Sequence, residues 1–345
     1  MLKIRFIILL LFVGVSGMLA QIGGTRTMEF LNLNTSARIS SLGGKTIAIY
    51  DDDLNFPFFN PSLLNERMNN HLVLNYVNYF AGINYGYVGY AKTHEGFGNF
   101  GLGLHYVNYG DFTEADIYGN KTGDFTASEY AFHITWSYPI DSNINVGASL
   151  KPIYSHLERY SAGAIALDIG VTYHSDDNLF VASVVGRNLG TQFKGYYQNH
   201  LEPLPAEIIA GFSQKFRYAP FRLIFTFHQL QKPDLSYNLP DSKDEFDPFT
   251  GEKIERSKIE QFADNTMRHF IAGIEFMPLK SFHIRAGYNY QKRKELQIAN
   301  KVGAVGFSWG FGINLKRFIF SYASSNFHLA GSTNHFSIST NLSNF

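Results

Sequence analysis

Cysteine is absent from the 345 residues. That excludes disulfides, thiolate catalysis, iron–sulfur ligation and a lipidated N-terminal cysteine, and it suits passage through an oxidising compartment. Charge is scarce too: Asp, Glu, Lys and Arg make up 17% of the chain, with 29 acidic residues balancing 29 basic ones. A neutral chain carries no electrostatic footprint for a nucleic acid partner. Long apolar runs are missing beyond the N-terminus. No later stretch reaches roughly 18 uninterrupted apolar residues, so any membrane crossing must be made by strands.

Aromatics and glycine are abundant: Phe 32, Tyr 21 and Gly 31, in a chain that is 45% hydrophobic. Aromatic residues suit strands and interfacial girdles, and glycine lets backbones approach closely. At the N-terminus Lys3 and Arg5 precede the apolar run IILLLFVGV and then MLA, the pattern of a signal peptide over residues 1–20 cleaved after Ala20.

Period-two alternation dominates from His71 onward. In YAFHITWSYP, Tyr130, Phe132, Ile134, Trp136 and Tyr138 share one strand face, while Ala131, His133, Thr135 and Ser137 share the other. AIALDIGVTYH repeats the pattern, with Ile165, Leu167, Ile169, Val171 and Tyr173 opposite Ala164, Ala166, Asp168, Gly170 and Thr172. Strands of about 11 residues with one oily face fit tilted membrane strands better than a soluble sheet. Fourteen candidates are predicted: 71–79, 83–92, 97–108, 126–138, 143–157, 162–174, 179–188, 204–217, 221–232, 267–277, 281–291, 301–314, 316–325 and 333–345. The expected fold is an all-β, fourteen-stranded antiparallel transmembrane β-barrel over residues 71–345, closed by pairing the first strand with the last.

Connections after strands 4, 6, 8, 10 and 12 are short, whereas those after strands 3, 7, 9 and 11 are longer. This parity assigns short turns and both termini to the periplasm and long loops to the outside. The longest loop, 233–266, holds nine Asp or Glu against four Lys or Arg, with a possible short helix at its end. Its acids lack the spacing of an EF-hand and read as a solvated surface. Residues 21–70 do not alternate, and they are expected to form a plug in the barrel lumen, where irregular backbone is tolerated away from lipid.

Catalytic and metal chemistry find no foothold. No nucleophile elbow, phosphate loop or paired-acid signature occurs, and His94, His105 and His133 lack compact zinc spacing. His105, His133, His228 and His283 fall singly in alternating strands and read as lumen or interfacial residues. His133 beside Ser137, or His269 near Glu275, could share a face, but spacing alone makes no relay. Asp51–Asp53 reads as a polar turn. The chain is therefore expected to be no enzyme, with no cofactor.

The N-terminal stretch SARISSLGGKTIAIYDDDLNFPFFNPSLL contains Ala37-Arg38, Leu42-Gly43-Gly44 and Asn60-Pro61-Ser62. It resembles the plug of the FadL-like fourteen-stranded barrels, and particularly the PorV and PorQ proteins of the type IX secretion system. GGTRTMEFLNLNTSARISSLGG, with the barrel's size, looks most like the PorQ branch. Arg38, Gly43, Gly44, Asn60 and Pro61 carry the likeness; Asn60-Pro61-Ser62 departs from the more usual Asn-Pro-Ala of the fatty-acid-transport relatives. The resemblance implies the outer membrane of a Bacteroidetes-type Gram-negative bacterium. There the chain would be a non-enzymatic scaffold holding the surface protein PorZ near PorU and PorV, while cargo is attached to anionic lipopolysaccharide. The outer loops would make the contact, with Phe112, Tyr118, Tyr196, Tyr197, Phe246 and Phe249 as candidate anchors. The alternative is a FadL-like channel for a small hydrophobic ligand. The chain ends FSISTNLSNF, and terminal Phe345 falls out of phase with Phe336, Ile338, Thr340 and Leu342.

Overall fold

A computed structural model describes residues 26–197, 200–235, 257–296, 304–328 and 331–345. The signal segment 1–20 lies outside them. Fourteen strands close an antiparallel barrel in which each pairs with its sequence neighbours and β1 (His71–Asn78) pairs with β14 (Gly331–Asn341). Between them run β2 (Asn84–His94), β3 (Gly98–Ala115), β4 (Lys121–Asp141), β5 (Ile144–Leu157), β6 (Tyr160–His174) and β7 (Phe180–Lys194). The wall continues with β8 (Glu207–Lys215), β9 (Phe221–Phe227), β10 (Phe270–Leu279), β11 (Phe282–Asn289), β12 (Phe307–Leu315) and β13 (Phe318–His328). Closure leaves no strand edge facing lipid, which is what a backbone in hydrocarbon requires.

The alternation sorts inside from outside as the sequence predicts. Phe132 and Ile134 are 52% and 49% exposed on the outer wall, whereas Ala131 and His133 on the lumen side are 0% and 3% exposed. His71 pairs with Asn341, so the chain enters and leaves the barrel at one end. The turns at that end are all short: 95–97, 142–143, 175–179, 216–220, 280–281 and 316–317. This is the topology of an outer-membrane barrel whose first strand begins and last strand ends on the periplasmic side, with its longer loops outside.

Several boundaries differ from expectation. Residues 109–125 are mostly strand, because β3 and β4 stay paired to Ala115 and Lys121 and leave only 116–120 as a turn. At 18 and 21 residues these two strands exceed what crosses a bilayer, about 9–11 residues, so the hairpin projects past the outer rim. β9 ends at Phe227 rather than near 232, and helix α2 (Lys258–Arg268) fills the expected start of β10. Ser257 caps α2 in a reciprocal capping box with Glu260. Last, β14 stops at Asn341, and a turn over Leu342–Asn344 breaks the alternation. That turn accounts for the phase of Phe345, whose ring packs 5.8 Å from that of Phe318.

The core lies within the lumen. Residues 26–70 thread it, supplying Ile39, Leu42, Ile47, Ile49, Phe56, Phe59, Leu63, Leu64 and Met68, all at most 1% exposed. A barrel of polar and small inward side chains leaves its bore empty, and the apolar N-terminal segment fills it. Burial of those side chains from water is the driving term.

Candidate functional site: the plugged lumen

The short helix α1 (Ala37–Ser41) opens on Ser36, whose hydroxyl accepts from the Ile39 amide at 3.4 Å. It ends where Gly43 and Gly44 adopt φ of 97° and 94°, a region glycine enters without a Cβ clash. Gly43 meets Gly287 of β11, where an added Cβ would sit 2.2 Å from the Gly43 nitrogen. Ser308 of β12 ties the same turn down, donating to the Ser41 carbonyl at 3.1 Å and accepting from the Gly43 amide at 3.2 Å.

Arg38 projects from α1 into a charged hub. Its Nε and Nη2 donate to the two oxygens of Glu275 at 3.0 and 3.1 Å, and Nη2 and Nη1 reach Asp51 and Asp53 at 2.8 and 3.2 Å. Glu275 also accepts from Arg222 and Arg285, each at 2.8 Å. The hub thus joins two parts of the plug to β9, β10 and β11. Glu275 is wholly buried, where an unpaired carboxylate is very costly and a saturated one is not.

Asn60-Pro61-Ser62 forms the second anchor. Asn60 caps a single turn by accepting from the Ser62 amide at 3.1 Å, with Pro61 at its first position. The Asn60 amide donates to the Ile47 carbonyl at 3.0 Å and to Thr172 at 3.1 Å. Two wall glycines make the approach possible. A Cβ on Gly147 would lie 2.4 Å from the Pro61 carbonyl carbon, and one on Gly170 would lie 2.1 Å from Asn60 Oδ1.

Further along the bore, Lys45 pairs with Glu207, which also faces His228, and Lys151 pairs with Asp168 at 2.6 Å. Arg187 is completely buried, its guanidinium 4.1 Å from the Phe59 ring centroid. His105 and His133 flank Phe58 at 5.2 and 4.9 Å, with no hydrogen-bond partner on either ring. The sequence placed several histidines on the lumen face but did not pick out Glu275, Arg187 or Glu207 as plug contacts. A lone charge at an inward strand position was the available signal; its partner was not readable.

Neither candidate relay exists. Ser137 donates to the Leu64 carbonyl at 2.6 Å, and His269 Nδ1 lies 2.7 Å from the His228 carbonyl. Among the described residues no three His, Asp or Glu side chains gather as a metal site, and Asp51 and Asp53 are engaged by Arg38 instead.

The candidate contact aromatics within the described residues sit in different settings. Phe112 stacks on Phe125 at 5.1 Å within the β3–β4 hairpin. Tyr118 stands exposed at its tip. Tyr196 points inward, its hydroxyl 2.6 Å from that of Ser155, whereas Tyr197 is exposed beside Tyr160. Phe246 and Phe249 lie outside the described residues.

Two cavities accompany the plug. One, of about 640 Å³, opens between the foot of the plug and the periplasmic turns 215–220 and 277–280. The other, about 660 Å³, is an apolar groove on the lipid-facing wall. Val171, Tyr173, Phe180, Ala182, Phe212 and Phe227 line it. It lies where the wall passes from β6 to β9.

No protein-family model and no curated protein matches the chain. Solved structures do. The chain is similar to a deletion mutant of the TodX monoaromatic hydrocarbon channel at 14% identity and TM-score 0.51, over 89% of this chain and 97% of that one. The CymD monoaromatic hydrocarbon channel matches at 14% identity and TM-score 0.50, over 90% and 96%. A Pseudomonas aeruginosa FadL homologue matches at 10% identity and TM-score 0.49, over 89% and 97%. The expectation of a type IX scaffold holding PorZ is corrected by these findings: the TodX and CymD structures, which share the fold along nearly the whole chain, are described as hydrocarbon channels. The fold of this chain is that of fourteen-stranded antiparallel barrels, shared with the TodX and CymD structures.

Proposed function

We propose that the protein is an outer-membrane channel for a small hydrophobic molecule. The observation that carries this reading is the shared fold, over 89–90% of the chain, with barrels whose described role is to pass monoaromatic hydrocarbons. Because a fold hosts many functions, a feature of the wall itself also supports the reading. Its outer groove is lined by aromatic and aliphatic side chains around the small residues Ala182 and Ala210, and its 660 Å³ falls in the range of small-ligand sites, about 300–1,000 Å³. The finer kinship with the PorV and PorQ barrels rests on the plug sequence around Arg38 and Asn60, and it speaks of descent rather than activity.

The test is uptake of radiolabelled toluene by a Gram-negative host that makes the barrel, against the same host carrying empty vector. Faster uptake at low external toluene is expected, reduced when Ala182→Trp fills the groove. Equal rates from a correctly inserted barrel would remove the proposal.

A further inference from the structure

The cavity at the foot of the plug has a chemistry unlike that of the apolar outer groove. Its floor is the guanidinium cluster of Arg38, Arg222 and Arg285, and Ser321, Ser337, Ser339 and Asn314 make one side. Lys215 and Lys280 stand at its mouth. Three carboxylates also line it. Asp51 and Asp53 are engaged by Arg38 at 2.8 and 3.2 Å, and Asp52 is exposed. Arg217 at the rim is neutralised by Asp177 at 2.6 Å.

Against that background, three cations are under-used. Among the described residues neither Lys215 nor Lys280 has a carboxylate within 4.0 Å, the limit for an ion pair. Arg285 is only 3% exposed, yet beyond its Nε bond to Glu275 its terminal nitrogens reach only Ser321 and the His283 ring, both at 3.5 Å. Contacts of that length are marginal for a guanidinium, whose planar fork favours oxyanions at about 2.7–2.9 Å. Gly312 keeps the space beside the fork open, since a Cβ there would lie 2.9 Å from Arg285 Nη1.

We infer that this cavity is a periplasm-facing binding site for a small oxyanion, a carboxylate or a phosphate. The anion takes the terminal nitrogens of Arg285, draws Lys215 and Lys280 inward and accepts from the serine hydroxyls. The inference stands apart from the channel reading, because it concerns the periplasmic end and a ligand of opposite polarity.

Calorimetry on the full barrel in neutral detergent tests it, with inorganic phosphate and acetate as separate probes at constant ionic strength held with sodium chloride. Saturable heat from at least one probe is expected, and which one distinguishes phosphate from carboxylate. Lys215→Gln with Lys280→Gln, at the mouth and away from the plug hub, should weaken binding at least about tenfold while the barrel keeps its heat-modifiable gel migration. Arg285→Lys, which retains charge but loses the fork, should weaken it further. No saturable heat from either probe, or equal affinity in the doubly substituted barrel, overturns the inference.

Discussion

Arg38 of the plug and Glu275 of the wall, 237 residues apart in sequence, meet in a two-pronged ion pair of 3.0 and 3.1 Å. Glu275 simultaneously serves Arg222 and Arg285, so the pair is the hub on which the plug's foot is seated. A bond between such distant parts of the chain reports on seating of the plug, and each element around it can be altered separately.

Glu275→Gln removes the charge that three buried guanidinium groups share. Breaking a buried pair from one side costs about 3–5 kcal/mol because the other charge stays buried. The urea midpoint of the refolded barrel should fall accordingly, and the plug should become sensitive to protease added from the periplasmic side. An unshifted midpoint with a protected plug would contradict the role assigned to the hub.

Gly147→Ala sets a methyl 2.4 Å from the backbone of Pro61, which cannot swing aside as a side chain could. Overpacking of this kind costs about 1–3 kcal/mol. Gly101→Ala is the matched control. Its Cβ meets Leu64 and Thr135 at an ordinary 3.5 Å, so its thermal midpoint should stay near that of the parent. If the two variants melt together, the wall glycines are not what seats Asn60-Pro61-Ser62.

The outer cap depends on pH in a predictable direction. Asp264 in α2 pairs with Arg268 at 2.9 Å and accepts from Tyr290 at 2.7 Å, and Lys294 of α3 (Tyr290–Glu295) lies 3.2 Å away. Burial alone would raise the Asp264 carboxyl, but the Tyr290 hydroxyl and Arg268 outweigh it and hold it below its ordinary value. Burial likewise works against the Lys294 ammonium, and Asp264 overcomes it and raises its pKa. The depressed acid contributes above its unfolded pKa of about 3.9 and is lost as pH falls through the folded value; the raised base contributes below about 10.4 and is lost as pH rises through its own. Amide protection in α2 and α3, taken relative to the unfolded chain at the same pH, should therefore be highest across the middle of that window and fall at both ends. Asp264→Asn should flatten the profile.

Ile134 faces lipid between the same-face residues Phe132 and Trp136. Arginine there costs about 2–4 kcal/mol near the bilayer midplane. Ile134→Arg should slow folding into lipid vesicles and lower the yield of the heat-modifiable form, whereas Thr135→Ser, on the lumen side, should leave both unchanged. Equal folding of the two variants would reverse the assignment of faces.

Alternation of Tyr130 to Tyr138 and of Ile165 to Tyr173 was enough to set the fold class, because a strand with one face in lipid must repeat every two residues. Strand number and the periplasmic end followed from the same pattern and from loop parity. Strand ends were harder. Residues 109–125 are polar and turn-rich yet stay paired, since β3 and β4 extend one another beyond the membrane, where no hydrophobic alternation is demanded of them.

The sequence by itself determined that residues 21–70 could not be wall, because they lack the period of a strand. It did not determine that Glu275 would hold Arg38, or that Gly147 and Gly170 would make room for Asn60 and Pro61. Those pairings join positions roughly a hundred or more residues apart, and the curvature of a closed barrel alone brings them face to face. The proposed sites arise at that level too. The scaffold reading drew on the plug motif, whereas the cationic cavity beneath the plug and the apolar groove outside it exist only once fourteen strands enclose the segment that fills them.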